Sequence, residues 1–151
     1  MRPQIGVIGA GACEESVGKA AEEVGREIAK RNASLICGGR SGVMEAAARG
    51  AKMEGGTTIG ILPGDSRHGA NPFIDIFILS NMGHARNAII AQSCDVLIAI
   101  GGEYGTLSEI ALALKMGKKV VTFRSKWEIE GTVKACSPAE AVELAMNGLG
   151  V

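Results

Sequence analysis

Three times in this chain a short apolar run is followed by a glycine-rich turn and then by a helix-forming stretch. Gln4–Gly9 leads into Gly9–Cys13, Ser34–Cys37 into Gly38–Gly42, and Asp95–Ile100 into Gly101–Gly105. None of the three runs alternates apolar with polar residues, as a strand with one wet face does. Such runs form strands buried on both faces. A chain that returns through a helix enters the next strand in the same direction, so the pattern dictates a parallel sheet with helices packed on it. In such a sheet every strand-to-helix turn lies on one edge, so the three glycine turns line one crevice.

The rest of the chain fits the same alternation. Strands are predicted also over Thr57–Leu62, Phe73–Leu79, Lys119–Phe123 and Thr132–Cys136. Helices are predicted over Glu14–Arg31, Val43–Glu54, Ala85–Ser93 and Thr106–Met116, with a last one from Pro138 to about Asn147. Ser137 as N-cap and Pro138 at the first helical position mark the start of that last helix. No repeat or linker divides the 151 residues, so a single domain spanning 1–151 is expected. Its expected architecture is a three-layer α/β/α Rossmann-like fold, class α/β, with a mostly parallel sheet of about six or seven strands in the order about 3-2-1-4-5-6-7.

Composition narrows the function. Lys+Arg and Asp+Glu both number 16, so the chain has no net charge with which to attract nucleic acid or a membrane surface. Aromatic residues make up only 3%, too few for base-stacking platforms. The cysteines, Cys13, Cys37, Cys94 and Cys136, have neither zinc-site nor redox-motif spacing and read as reduced thiols, small and buried. His68 and His84 have no partner at metal-ligand spacing, so no metal site is expected. The first apolar run is too short and glycine-rich for a signal peptide or a membrane span, which makes the cytoplasm the expected location.

The glycine turns carry the functional signal. Backbone N–H groups at a strand-to-helix turn can point at an anion, and the helix N-terminus adds partial positive charge. The candidate phosphate contacts are Gly9 and Gly11 in the first turn, and Gly38, Gly39, Arg40 and Gly42 in the second. In the third they are Gly101, Gly102, Glu103, Tyr104, Gly105 and Thr106. The first turn has Glu14 where a dinucleotide fingerprint needs its third glycine, and no P-loop run is present. The third turn ends in a carboxylate, Glu109, which a phosphate cradle does not need. Thr106-Leu107-Ser108-Glu109 reads as a capping box, with Glu109 reaching back to the N–H of Thr106; it reads equally as a ligand-facing group. Arg86 lies near a helix start, where its charge is unfavourable and asks for a partner.

Gly101-Gly102-Glu103-Tyr104-Gly105-Thr106-Leu107-Ser108-Glu109 resembles the G-G-x-x-G-T-x-x-E signature of the superfamily that joins molybdenum cofactor carrier proteins to the LOG phosphoribohydrolases. Some of its members bear an older label, "lysine decarboxylase-like". The likeness extends to Cys37–Glu45 and Met82–Asn87 and covers about Ile5 to Phe123. LOG enzymes cleave the N-glycosidic bond of cytokinin nucleotides. The resemblance implies phosphate binding by the glycine run, with Glu109 and Arg86 as catalytic residues if the chain is an enzyme, and Asn87 beside them in the site. Ile100 stands where LOG enzymes have proline, Asn87 where they have lysine, and Arg86 is four rather than three residues past Met82. These differences and the short length are closer to the carrier branch. The expected function is therefore binding of a nucleotide or related phosphorylated ligand, with a nucleoside 5′-monophosphate phosphoribohydrolase as the alternative. No cofactor is firmly implied; molybdenum cofactor or a nucleoside monophosphate is the candidate ligand. The resemblance also implies a homodimer or homotetramer. Lysine decarboxylation does not fit, because it normally uses a pyridoxal Schiff base and the glycine turns hold no lysine.

Overall fold

The computed structural model describes residues 1–150. Its strands are β1 (Gln4–Gly9), β2 (Ser34–Cys37), β3 (Thr57–Leu62), β4 (Ile76–Leu79), β5 (Val96–Ile100), β6 (Lys119–Phe123) and β7 (Val133–Ala135). All pair in parallel, in the order β4-β3-β2-β1-β5-β6-β7. The helices are α1 (Glu15–Lys30), α2 (Val43–Met53), α3 (Arg86–Ser93), α4 (Tyr104–Lys115) and α5 (Pro138–Met146). This is the expected Rossmann-like α/β fold.

Strand pleating sorts the apolar residues into two cores. Ile5, Val7, Leu35, Ile98 and Val121 face α1, α2 and α5. Ile8, Ile36, Ile61, Leu97 and Val120 face α3 and α4. Every residue of β2 and β5 is buried, as the lack of alternation required.

The strand order differs from expectation in one place. β4 lies outside β3 at the edge of the sheet, and β5 takes the position beside β1. The connection from β3 to β4 carries no helix. It is pinned instead over the turn after β2, where the Asn71 N–H donates to the Gly39 carbonyl (2.9 Å) and Asn71 Nδ2 to the Arg40 carbonyl (2.8 Å). β4 is also shorter than predicted. The Thr58 hydroxyl donates to the Phe73 carbonyl and the Thr58 N–H to the Asp75 carboxylate (3.0 Å), so regular pairing starts only at Ile76. Of the cysteines, Cys37 and Cys94 are buried, whereas Cys13 and Cys136 are exposed on turns, where no core strand or helix face encloses them.

The chain thus builds outward from β1 to β4 and then returns through α3 to β5, beside β1. The loops leaving β1 and β5 diverge to opposite faces, and a crevice opens between them at the carboxyl ends of the strands.

Candidate functional site

The third glycine turn is built by backbone that other residues adopt poorly. Gly101 and Gly102 have φ of 56° and 102°. A Cβ on Gly102 would lie 2.3 Å from Thr106 Oγ1. The Gly101 N–H is anchored to the Phe123 carbonyl at 2.9 Å, which ties the turn to the end of β6. α4 then begins at Tyr104 with Glu103 as its N-cap, and no side chain caps it. The first-turn N–H groups are therefore left open, which is the arrangement that receives an anion.

This start corrects the capping-box reading. Thr106 is the third residue of α4, not its cap, and Glu109 lies a further turn into the helix. Glu109 points to the cleft instead. It is only 8% exposed and makes no hydrogen bond or salt bridge among the described residues. Burial pushes its carboxyl up from 4.5 to about 7, and the nearby Arg86 charge opposes only part of that rise.

Arg86 opens α3, after a 3-10 turn over Gly83–Ala85. Its guanidinium crosses to the end of β2, where Nη2 donates to the Gly38 carbonyl at 3.4 Å and Nη1 donates to Asn87 Oδ1. Bare backbone at Gly38 makes the crossing possible: a Cβ there would lie 2.7 Å from Nη2 and 2.7 Å from Met44 Sδ. Arg86 Nε is buried without a partner. Burial lowers the Arg86 pKa, with Glu109 and then Cys37 opposing. Beneath the guanidinium, burial raises the Cys37 thiol to about 11, so it stays neutral.

These groups converge on a cleft of about 350 Å³. Of the residues singled out from sequence, Gly9, Gly11, Gly38, Arg86, Asn87, Glu103, Gly105, Thr106 and Glu109 line it. Gly39, Arg40, Gly42, Gly101, Gly102 and Tyr104 do not. Gly39 faces Leu62. Gly42 packs on the first turn, where a Cβ would lie 2.2 Å from the Ala10 carbonyl oxygen. The Arg40 guanidinium lies against Gly69, and Gly101 and Gly102 shape the turn from behind. Tyr104 turns outward to meet Trp127, ring centres 5.5 Å apart. Ala10, Met44 and His84 line the cleft without having been singled out as ligand contacts. The only signal for them is position: Ala10 lies inside the first turn, Met44 is the second residue of α2, and His84 stands two residues before Arg86.

Fold and site together define a class, a Rossmann-like α/β domain with a cleft of mixed apolar and charged lining at its topological switch point. The chain belongs to the SLOG cluster4 family, whose model matches residues 2–146. Among solved structures it resembles the molybdenum cofactor binding protein of Rippkaea orientalis, at 40% identity and a TM-score of 0.91, with 95% of each chain covered. It also resembles the molybdenum cofactor carrier protein of Chlamydomonas reinhardtii, at 38% identity and a TM-score of 0.87, covering 95% of this chain and 96% of that one. A cytokinin riboside 5′-monophosphate phosphoribohydrolase of Rhodococcoides fascians is 34% identical over 100 residues, 61% of this chain and 48% of the relative. The chain thus spans about half the length of that hydrolase.

Proposed function

We propose that this protein binds a nucleotide or related phosphorylated ligand, in the manner of a molybdenum cofactor carrier. The carrying observation is the uncapped first turn of α4, which opens into the same cleft as Arg86 and the buried, unpaired Glu109. The N–H groups of Gly105 and Thr106 suit the phosphate. Glu109, further along the helix, suits hydroxyl or N–H donors on the attached sugar or ring. Gly9 and Gly11 close the opposite wall, and Asn87 orients Arg86. The likeness to the two molybdenum cofactor proteins over 95% of the chain supports the carrier role. The reading includes a cytoplasmic location; no helix among the described residues is long and apolar enough to cross a membrane. It also includes self-association, supported by exposed Ile76, Ile78, Leu79 and Met82 along and beyond β4.

A second reading, a nucleoside 5′-monophosphate phosphoribohydrolase, is favoured by one feature. A carboxyl held near 7 is suited to proton transfer at neutral pH, and as an anion it can stabilise the positive charge that builds on a ribosyl group as its bond to the base breaks. One experiment separates the two. The pure protein is incubated with AMP and assayed for ribose 5-phosphate, with binding measured in parallel. Saturable binding without turnover is the carrier outcome. Release of ribose 5-phosphate that falls by about 10²-fold or more in Glu109→Gln is the hydrolase outcome. Absence of both binding and turnover, with AMP and with a pterin phosphate, overturns the phosphorylated-ligand reading.

A further inference from the structure

The N-cap of α4 carries a contradiction. Glu103, an acidic residue, is that N-cap and lines the cleft, close in the chain to the N–H groups proposed to hold phosphate. Its side chain does not turn back to cap the helix. Lys126, from the segment after β6, holds it instead, Nζ to Oε2 at 2.5 Å. Both side chains are more than half exposed, 54% for Lys126 and 68% for Glu103, so either can be drawn away without opening the core. The Lys126 ammonium also lies 5.2 Å from the centre of the Trp127 ring, and Trp127 leans on Tyr104, the first residue of α4. The segment after β6 is thereby fastened to the helix start that faces the cleft.

A phosphate seated there shares the cleft with Glu103. Two other cations of the sheet edge are engaged. Arg86 donates to Gly38 and Asn87, and Arg124 Nη1 donates to Ser16 Oγ at 3.1 Å. Lys126 is held by an exposed carboxylate, a pairing of small net worth that a phosphate, with more charge and more acceptor oxygens, can displace. That a ligand belongs in this cleft is indicated independently by Glu109, nine-tenths buried and unpartnered on its wall, and by the orphaned Arg86 Nε.

We propose that Lys126 recognises the ligand's phosphate by exchanging partners, from the Glu103 carboxylate to the phosphate. Glu103 is the resident competitor: it parks the ammonium in the empty site and disfavours anions too weak to displace it. The proposal rests on the phosphate reading above and assigns to this site a residue and a selection rule outside the glycine signature.

The exchange predicts opposite effects from the two halves of one ion pair. Glu103→Gln removes the competitor and the repulsion, and tightens ribose 5-phosphate binding about threefold. Lys126→Gln removes the recruited cation and weakens it about tenfold. Adenosine, which lacks phosphate, is bound alike by all three proteins. Trp127 is the sole tryptophan of the chain, so its fluorescence follows Lys126. Ribose 5-phosphate changes the emission of wild type and leaves that of Lys126→Gln unchanged at saturation, with binding read by calorimetry. A merely structural clasp weakens binding in both variants, and that result, or no change in either while wild type binds, overturns the exchange. If wild type binds neither ribose 5-phosphate nor AMP, the phosphate reading itself falls, and the exchange falls with it.

Discussion

At Glu109 the arrangement works against the stability of the fold at neutral pH. A carboxyl raised from 4.5 to about 7 binds a proton more tightly in the folded chain than in the unfolded one. Between those values the native state holds more protons, so stability falls as pH rises. The contribution is fully present below about 4.5 and lost by the time pH passes about 7, a change on the order of 3 kcal/mol. Glu109→Gln keeps the shape and removes the charge. Thermal melts over pH 4 to 8 are expected to show the variant gaining on wild type as pH rises, with the largest advantage above about 7. Equal pH profiles for the two proteins would refute a buried, unpaired carboxylate. Sequence offered Glu109 as a helix cap or a ligand group. It could not decide, because the decision turns on where α4 starts, and two glycines of left-handed backbone moved that start to Tyr104.

At the scale of elements, α1 and α2 meet backbone to backbone. A Cβ on Gly25 would lie 1.9 Å from the Ala47 carbonyl oxygen, and one on Gly50 would lie 1.9 Å from that of Glu22. In an exposed helix, glycine to alanine gains about 1 kcal/mol. Here the sign reverses, because the added methyl forces two helices apart. Gly25→Ala and Gly50→Ala are each expected to lower unfolding free energy by about 2–3 kcal/mol in urea titrations. A gain in stability from either would disprove the close crossing. Helical spacing in the sequence marked α1 and α2 correctly. It carried no sign that a glycine within each is a contact, since only the partner helix supplies the clash.

At the scale of the whole molecule, the switch from outward to inward winding places the site, and the sheet edge leaves a surface. Ile76 and Ile78 pair in register with Ile59 and Ile61 and so face the α3 and α4 side, but they are 48% and 44% exposed. An edge strand with apolar side chains is prone to pair with another chain. If the proposed self-association uses this edge, Ile78→Asp shifts sedimentation velocity towards the monomer at micromolar concentration and leaves the circular dichroism spectrum unchanged. A wild type that sediments as a monomer throughout refutes the self-association, and an Ile78→Asp oligomer of wild-type size excludes this edge from the interface.

Local physics in the sequence determined the parallel α/β fold, the approximate bounds of most elements and the edge on which the glycine turns lie. Apolar runs of strand length and helical spacing are properties of neighbours along the chain, so they can be read without the fold. The placement of β4 at the edge, the crossing of Arg86 to Gly38, the outward turn of Tyr104 and the pairing of Lys126 with Glu103 were decided by the tertiary structure alone. Each depends on atoms far apart in sequence reaching within a few ångströms of one another, and no local pattern encodes such a distance. The glycine signature therefore announced a site, while its depth and its buried carboxylate came from the packing around it.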